Sequence, residues 1–150
     1  MTALVHVAPS AHARGHSPIS FGQAVVDAQK VAAMEENWVV MRAKGNSMAP
    51  HFTEHALLLV DKAPYSALKK GMIAVYKGEE GEMISHLVTE QTPQGWKAQG
   101  ANNFREDPNK VTADNFVGIV FGVFDAHSQP LLLTEIEQVK SLPIAYGKAY

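Results

Sequence analysis

The sequence predicts a mainly β domain led by one N-terminal helix, on three observations. Residues 21–36 place apolar side chains at helical spacing. From residue 38 onward, short apolar runs alternate with turns rich in Gly, Pro and Asn. The chain has 150 residues, 46% of them hydrophobic, which suits one domain with one core.

Residues 9–20 are rich in Ala, His, Ser, Gly and Pro, and residues 1–20 are expected to form a mobile arm. They do not read as a signal peptide, because His6 interrupts the apolar start and no basic segment precedes it. In the helix, Phe21, Val25, Ala28, Val31 and Ala32 fall on one side, and Gln23, Asp27 and Lys30 lie elsewhere. Ser20 is its expected N-cap and Asn37 its expected end.

Residues 38–43 read as a strand, and 56–61 as a strand of the buried type. A strand over 72–77 follows Gly71, and residues 78–81 turn it into a strand over 82–91. Residues 96–99 form a short strand after the turn at 93–95. The apolar run 115–124 contains Gly118 and Gly122, which predict a bulge or close packing. Residues 131–140 are read as a strand or short helix, and the last residues as frayed. The division is an arm (1–20), a β domain (21–130) and a C-terminal extension (131–150).

Composition excludes several functions. There is no cysteine, hence no disulfide, Cys-ligated metal or thiol nucleophile. Net charge is −2, from 13 Lys and Arg against 15 Asp and Glu. That balance argues against a nucleic-acid binder or a polybasic membrane-surface protein. The longest apolar runs fall short of the roughly 20 residues a helical span needs. No integral membrane segment is expected, and the expected location is cytoplasmic.

Candidate chemistry begins at Gly45-Asn46-Ser47-Met48-Ala49-Pro50, just past a predicted strand. A serine there can be held exposed on a sharp turn, with neighbouring N–H groups facing a carbonyl oxygen. The plain alternative is an ordinary turn serine, since turns favour Gly, Asn, Ser and Pro. A nucleophilic serine needs a base, and the candidates are Lys or His. His86 shares a strand face with Ile84 and Val88. Imidazole suits general-base work near neutral pH, although a histidine on an apolar face is more often a hydrogen-bonded core residue. An orienting acid could come from Asp107 or Glu106 on the polar loop after Gln99, or from Asp114 or Asp125. Asp107 alone would read as a turn residue before Pro108.

His51-Phe52-Thr53-Glu54-His55 spells an inverted zinc-protease motif, H-x-x-E-H. That chemistry needs both histidines on one helical face, and Pro50 and the strand from Ala56 leave little more than one turn. A polar loop leading into a strand is the reading preferred here, with no metal and no cofactor.

Taken in order, the motifs resemble the type I signal peptidase and LexA-like serine peptidase superfamily. Residues 45–50 resemble its nucleophile box, and Lys70-Gly71-Met72-Ile73-Ala74-Val75-Tyr76 its Gly-x-Ile/Val-Val strand. Ile84-Ser85-His86-Leu87 is similar to the strand carrying the base. Gln99-Gly100-Ala101-Asn102-Asn103 resembles the Gly-Asp-Asn-Asn box, and Val117-Gly118-Ile119-Val120 the closing Val-Gly strand. The resemblance covers residues 38–124 and implies that superfamily's complex β-fold of short antiparallel strands.

Within the superfamily, bacterial signal peptidases and LexA-like proteins use a lysine base, whereas the endoplasmic-reticulum and archaeal type uses histidine with aspartate. His86 falls at that histidine, and Asp107, counted from Gly100, at the second acid of the subgroup's Asp-Asp pair. The resemblance thus implies Ser47 as nucleophile, His86 as base and Asp107 as orienting acid, with Gly45, Asn46 and Met48 in the oxyanion and nucleophile loop. Lys69, Lys70, Lys77 and Lys97 miss the base position. Ala101 stands where the family has Asp, and Glu54-His55 where it has Gly-Asp.

The implied activity is a serine endopeptidase, free of a membrane anchor, cleaving a polypeptide bound as an added strand, with small apolar side chains in shallow pockets. A non-catalytic peptide-binding or interaction domain on the same fold is the alternative, told apart by whether Ser47 takes an acylating probe. A LexA-like autocleaving regulator is the other, and would need a DNA-binding headpiece or a scissile Ala-Gly or Cys-Gly bond. One helix precedes Trp38, and neither dipeptide occurs in the chain. Self-association is open through the N-terminal arm or the tail after Pro143, either of which could lie in a neighbour's cleft.

Overall fold

The computed structural model describes residues 20–124 and 139–150. Expectations about residues 1–19 and 125–138, including most of the arm, Asp125 and the element at 131–138, lie outside them.

Helix α1 spans Phe21–Ala32, and the Ser20 hydroxyl caps it by accepting from the Gln23 N–H at 3.1 Å. It is shorter than the spacing predicted. Ala33 already serves as C-cap, and residues 33–37 turn into the first strand, so Asn37 is not the helix end. Past Ala32 the apolar face is spent, since residues 33–37 are exposed and have nothing to bury.

Among the described residues seven strands follow: β1 (Trp38–Lys44), β2 (Leu57–Asp61), β3 (Ile73–Lys77), β4 (Met83–Thr92), β5 (Gly95–Gln99), β6 (Phe116–Phe124) and β7 (Ile144–Tyr146). The chain is therefore mainly β, with one mixed sheet. The strand order is β3-β6-β2-β1-β7-β4-β5, and β3 also pairs with β4. That extra pairing closes six strands into a ring, with β5 branching off β4. Among the described residues no helix is long and apolar enough to cross a membrane.

β2 shows why the ring is stable. Leu57, Leu58, Leu59 and Val60 are all buried, because the strand is covered on both faces. Leu57 and Leu59 meet the α1 side chains Phe21, Val25 and Ala28, while Leu58 and Val60 face the ring interior with Met41 and Val75. Gly118 on β6 lies against β2 so closely that a Cβ there would stand 2.5 Å from the Asp61 carbonyl oxygen. The glycines of that apolar run thus mark close packing, and the pairing register of β6 also slips beside each of them, between Gly122 and Val120 against β2 and between Gly118 and Phe116 against β3.

The frayed C-terminus is overturned by β7. Arg42, Ala43 and Lys44 of β1 pair with Ile144, Ala145 and Tyr146, and Met83 and Ile84 of β4 pair with Ala145 and Tyr146. Both pairings are parallel, whereas every other strand pair of the ring is antiparallel. The end of the C-terminal extension is thus part of the domain's own sheet. A three-residue strand has too little pattern to be read locally, and it exists because two unpaired edges flank it.

Leu58→Ala removes a fully buried side chain inside the ring. It should cost about 2–5 kcal/mol of stability, read as a lowered urea midpoint at unchanged slope.

Candidate active site

The nucleophile loop begins where β1 ends. Gly45 takes φ +95°, a conformation that side chains rarely adopt, and turns the chain sharply out of the strand. Met48 is almost fully buried among Met41, Phe52 and Leu58, which pins the loop to the ring interior. The Asn46 carbonyl accepts from the Ala49 N–H at 3.2 Å, and the Met48 carbonyl from the His51 N–H at 2.8 Å. Ser47 is held between these anchors.

β4 and β5 supply the other half. His86 lies on β4 opposite Ala74 of β3, on the face that buries Ile84 and Val88. Beyond β5, the loop through residues 100–107 folds back onto the nucleophile turn. The Asn102 N–H donates to the Ser47 carbonyl at 2.7 Å, and Asn102 Nδ2 to the Asn46 carbonyl at 3.3 Å. Gly100 comes so close that a Cβ there would lie 2.8 Å from the Ser47 carbonyl oxygen. The Asp107 N–H returns to the Ala98 carbonyl at 2.8 Å, which fixes its carboxylate beneath the histidine.

The structure brings Ser47, His86 and Asp107 into one hydrogen-bonded line. Ser47 Oγ is 2.8 Å from His86 Nε2, and His86 Nδ1 is 2.5 Å from Asp107 Oδ2. A carboxylate only accepts, so Nδ1 carries the proton and Nε2 is left to accept from the serine hydroxyl. Ser47 is 4% exposed and His86 0%.

Glu106 belongs elsewhere, 3.7 Å from Lys97 Nζ, and Lys97 is itself bonded to Glu90 at 2.8 Å. His51 and His55 are exposed, and the backbone between them makes turns and no helix. No group of three or more His, Cys, Asp or Glu side chains suited to a metal occurs among the described residues.

Two participants escape the sequence reading. Tyr76, fully buried on β3, donates its hydroxyl to the same Asp107 Oδ2 that His86 uses. A buried phenol in an apolar strand needs a partner, and that requirement was the available signal. Its pKa is pushed far up, chiefly by burial and next by the adjacent Asp107 charge, so it stays a donor. The second is the C-terminal segment. Gly147 lies directly on Ser47, where a Cβ on it would overlap Ser47 Oγ, and the Tyr150 ring stands edge-on to His86 with centroids 6.2 Å apart.

Comparison of the chain with protein-family models and with curated proteins gives no match.

Tyr76→Phe leaves Asp107 Oδ2 with one donor fewer and should cost about 1–3 kcal/mol at neutral pH. The phenol's pKa is raised on folding, so its contribution is complete below about pH 10, the unfolded value, and falls as pH rises beyond it. Urea melts of both proteins from about pH 7 to 11 should show the difference between them shrinking at the alkaline end.

Proposed function

We propose that this chain is a serine endopeptidase of the signal-peptidase and LexA-like type. The observation that carries this reading is the line Ser47–His86–Asp107, assembled from a turn after β1, a strand and a distant loop. An ordinary turn serine has no cause to meet a buried, carboxylate-oriented imidazole. Three of the segments that resemble the superfamily, 45–50, 84–87 and 99–103, meet at this point, and Tyr76 of a fourth bonds Asp107, which supports the finer fold reading.

In this reading the polypeptide substrate lies as a strand between β1 and β4, in the place that β7 holds in this structure. Ser47 Oγ attacks the carbonyl carbon, and His86 Nε2 takes the serine proton. The backbone of the Gly45–Ser47 turn faces the developing oxyanion. His86 then protonates the leaving amine, and a water, activated by the same nitrogen, releases the acyl group. Asp107 holds the imidazole in the required tautomer, and Tyr76 and the Ala98 carbonyl hold Asp107.

A fluorophosphonate probe should label the full chain once, at Ser47, with peptide mapping as the readout. Ser47→Ala should abolish labelling. His86→Ala should slow it by about 10²–10⁴-fold, and Asp107→Asn by a similar order. Labelling that is unchanged in Ser47→Ala or His86→Ala would overturn the reading. A chain whose Ser47 never labels, yet which retains peptides, would be the peptide-binding domain instead.

A further inference from the structure

The gap between the Ser47 strand and the His86 strand already holds a peptide, and it is the chain's own. On β4, β3 covers one edge over Met83–Leu87, while the opposite edge takes β7 at Met83 and Ile84 and β5 from Leu87. On β1, β2 covers one edge and β7 the other. Without β7 the ring would be open along the groove that ends at Ser47 and His86.

β7 delivers one particular peptide bond to the serine. Ala145 is fully buried among Ala43, Met48 and Val75, and Tyr146 points out, where the Lys44 ammonium lies 5.6 Å from its ring centre. The Gly147 N–H donates to the Lys44 carbonyl at 2.7 Å. In an extended chain the N–H and C=O of one residue face the same edge. The Gly147 carbonyl oxygen accordingly meets the Gly45 position so closely that a Cβ there would overlap it. Gly147 itself is seated on Ser47 Oγ with no room for a side chain. The far side of the bond is held too. Asn103 Nδ2 donates to the Lys148 carbonyl at 2.7 Å, Lys148 Nζ binds Glu82, and Tyr150 stands against His86.

We propose that residues 144–150 are a substrate of the chain's own serine, cut between Gly147 and Lys148. Ser47 Oγ bonds to the Gly147 carbonyl carbon and passes its proton to His86 Nε2. The Gly147–Lys148 bond breaks, and the Lys148 nitrogen leaves as an amine with the proton His86 returns. Water then hydrolyses the Gly147–Ser47 ester, leaving a C-terminal carboxylate on Gly147 and restoring the serine. Restraint on both sides of the bond makes the step unimolecular, which is where oriented groups gain most. This inference rests on the endopeptidase reading.

The test is intact-mass spectrometry on the full chain carrying an N-terminal tag, followed over days at several protein concentrations. A species lacking Lys148-Ala149-Tyr150 should accumulate with first-order kinetics, at one rate across a hundredfold range of concentration, and be absent in Ser47→Ala. Gly147→Val, whose side chain must drive the segment off Ser47, should lose the cut and gain rate of fluorophosphonate labelling. A full-length mass that persists while Ser47 still labels would overturn the inference and leave the endopeptidase reading standing. Cutting at another bond, or at a rate that grows with concentration, would overturn it likewise. No cut, together with no labelling in either the natural chain or Gly147→Val, would remove both.

Discussion

A fully buried histidine must have both ring nitrogens satisfied, and much of this structure is arranged around that demand. His86 sits on β4 with no exposure, so a free ring nitrogen would carry the full cost of an unpaired buried polar group. Asp107 takes one nitrogen and Ser47 the other. Each partner then needs its own support. Asp107 is a carboxylate in the interior, and it is tolerable there because His86 and Tyr76 both donate to it. Ser47 depends on the Gly45 turn and on Met48, which is anchored inside the ring. The site and the core are therefore one network.

The second organising constraint is close backbone approach. Gly45, Gly100 and Gly147 all converge on Ser47, and a side chain on any of them would run into backbone or into the serine itself. Their purpose is to let three separate segments share the space around one hydroxyl. This is why the loop through residues 100–107, which follows β5, and the C-terminal segment, which follows β7, both reach the nucleophile. Where Asn102 binds Ser47 and Asn103 binds Lys148, the same short loop reaches the serine on one hand and the C-terminal segment on the other.

Closure of the ring links stability to chemistry. β7 pairs in parallel with both β1 and β4, and Ala145 fills a site in the ring interior. The segment that leaves this strand covers Ser47 with Gly147 and His86 with Tyr150. Surface ion pairs at Lys148 contribute little by themselves, but they lie where the segment leaves the sheet and so set its direction.

Local pattern determined most of the architecture. α1 was legible from its apolar face and its Ser20 cap, and β1 to β6 from apolar runs bounded by glycine and proline turns, because those signals lie within a few residues of each element. Ser47, His86 and Asp107 could be picked out individually, since each residue type and its place at a strand end or loop is a local property. What tertiary structure alone decided is their meeting, because 39 residues separate Ser47 from His86 and 21 separate His86 from Asp107. Tyr76 was hidden for the same reason, as its partner is fixed by the β3–β4 register and a remote loop. β7 was the least legible of all. Three residues hold no periodicity, and they become a strand only because the folded ring leaves two open edges at the right spacing for one more chain to enter.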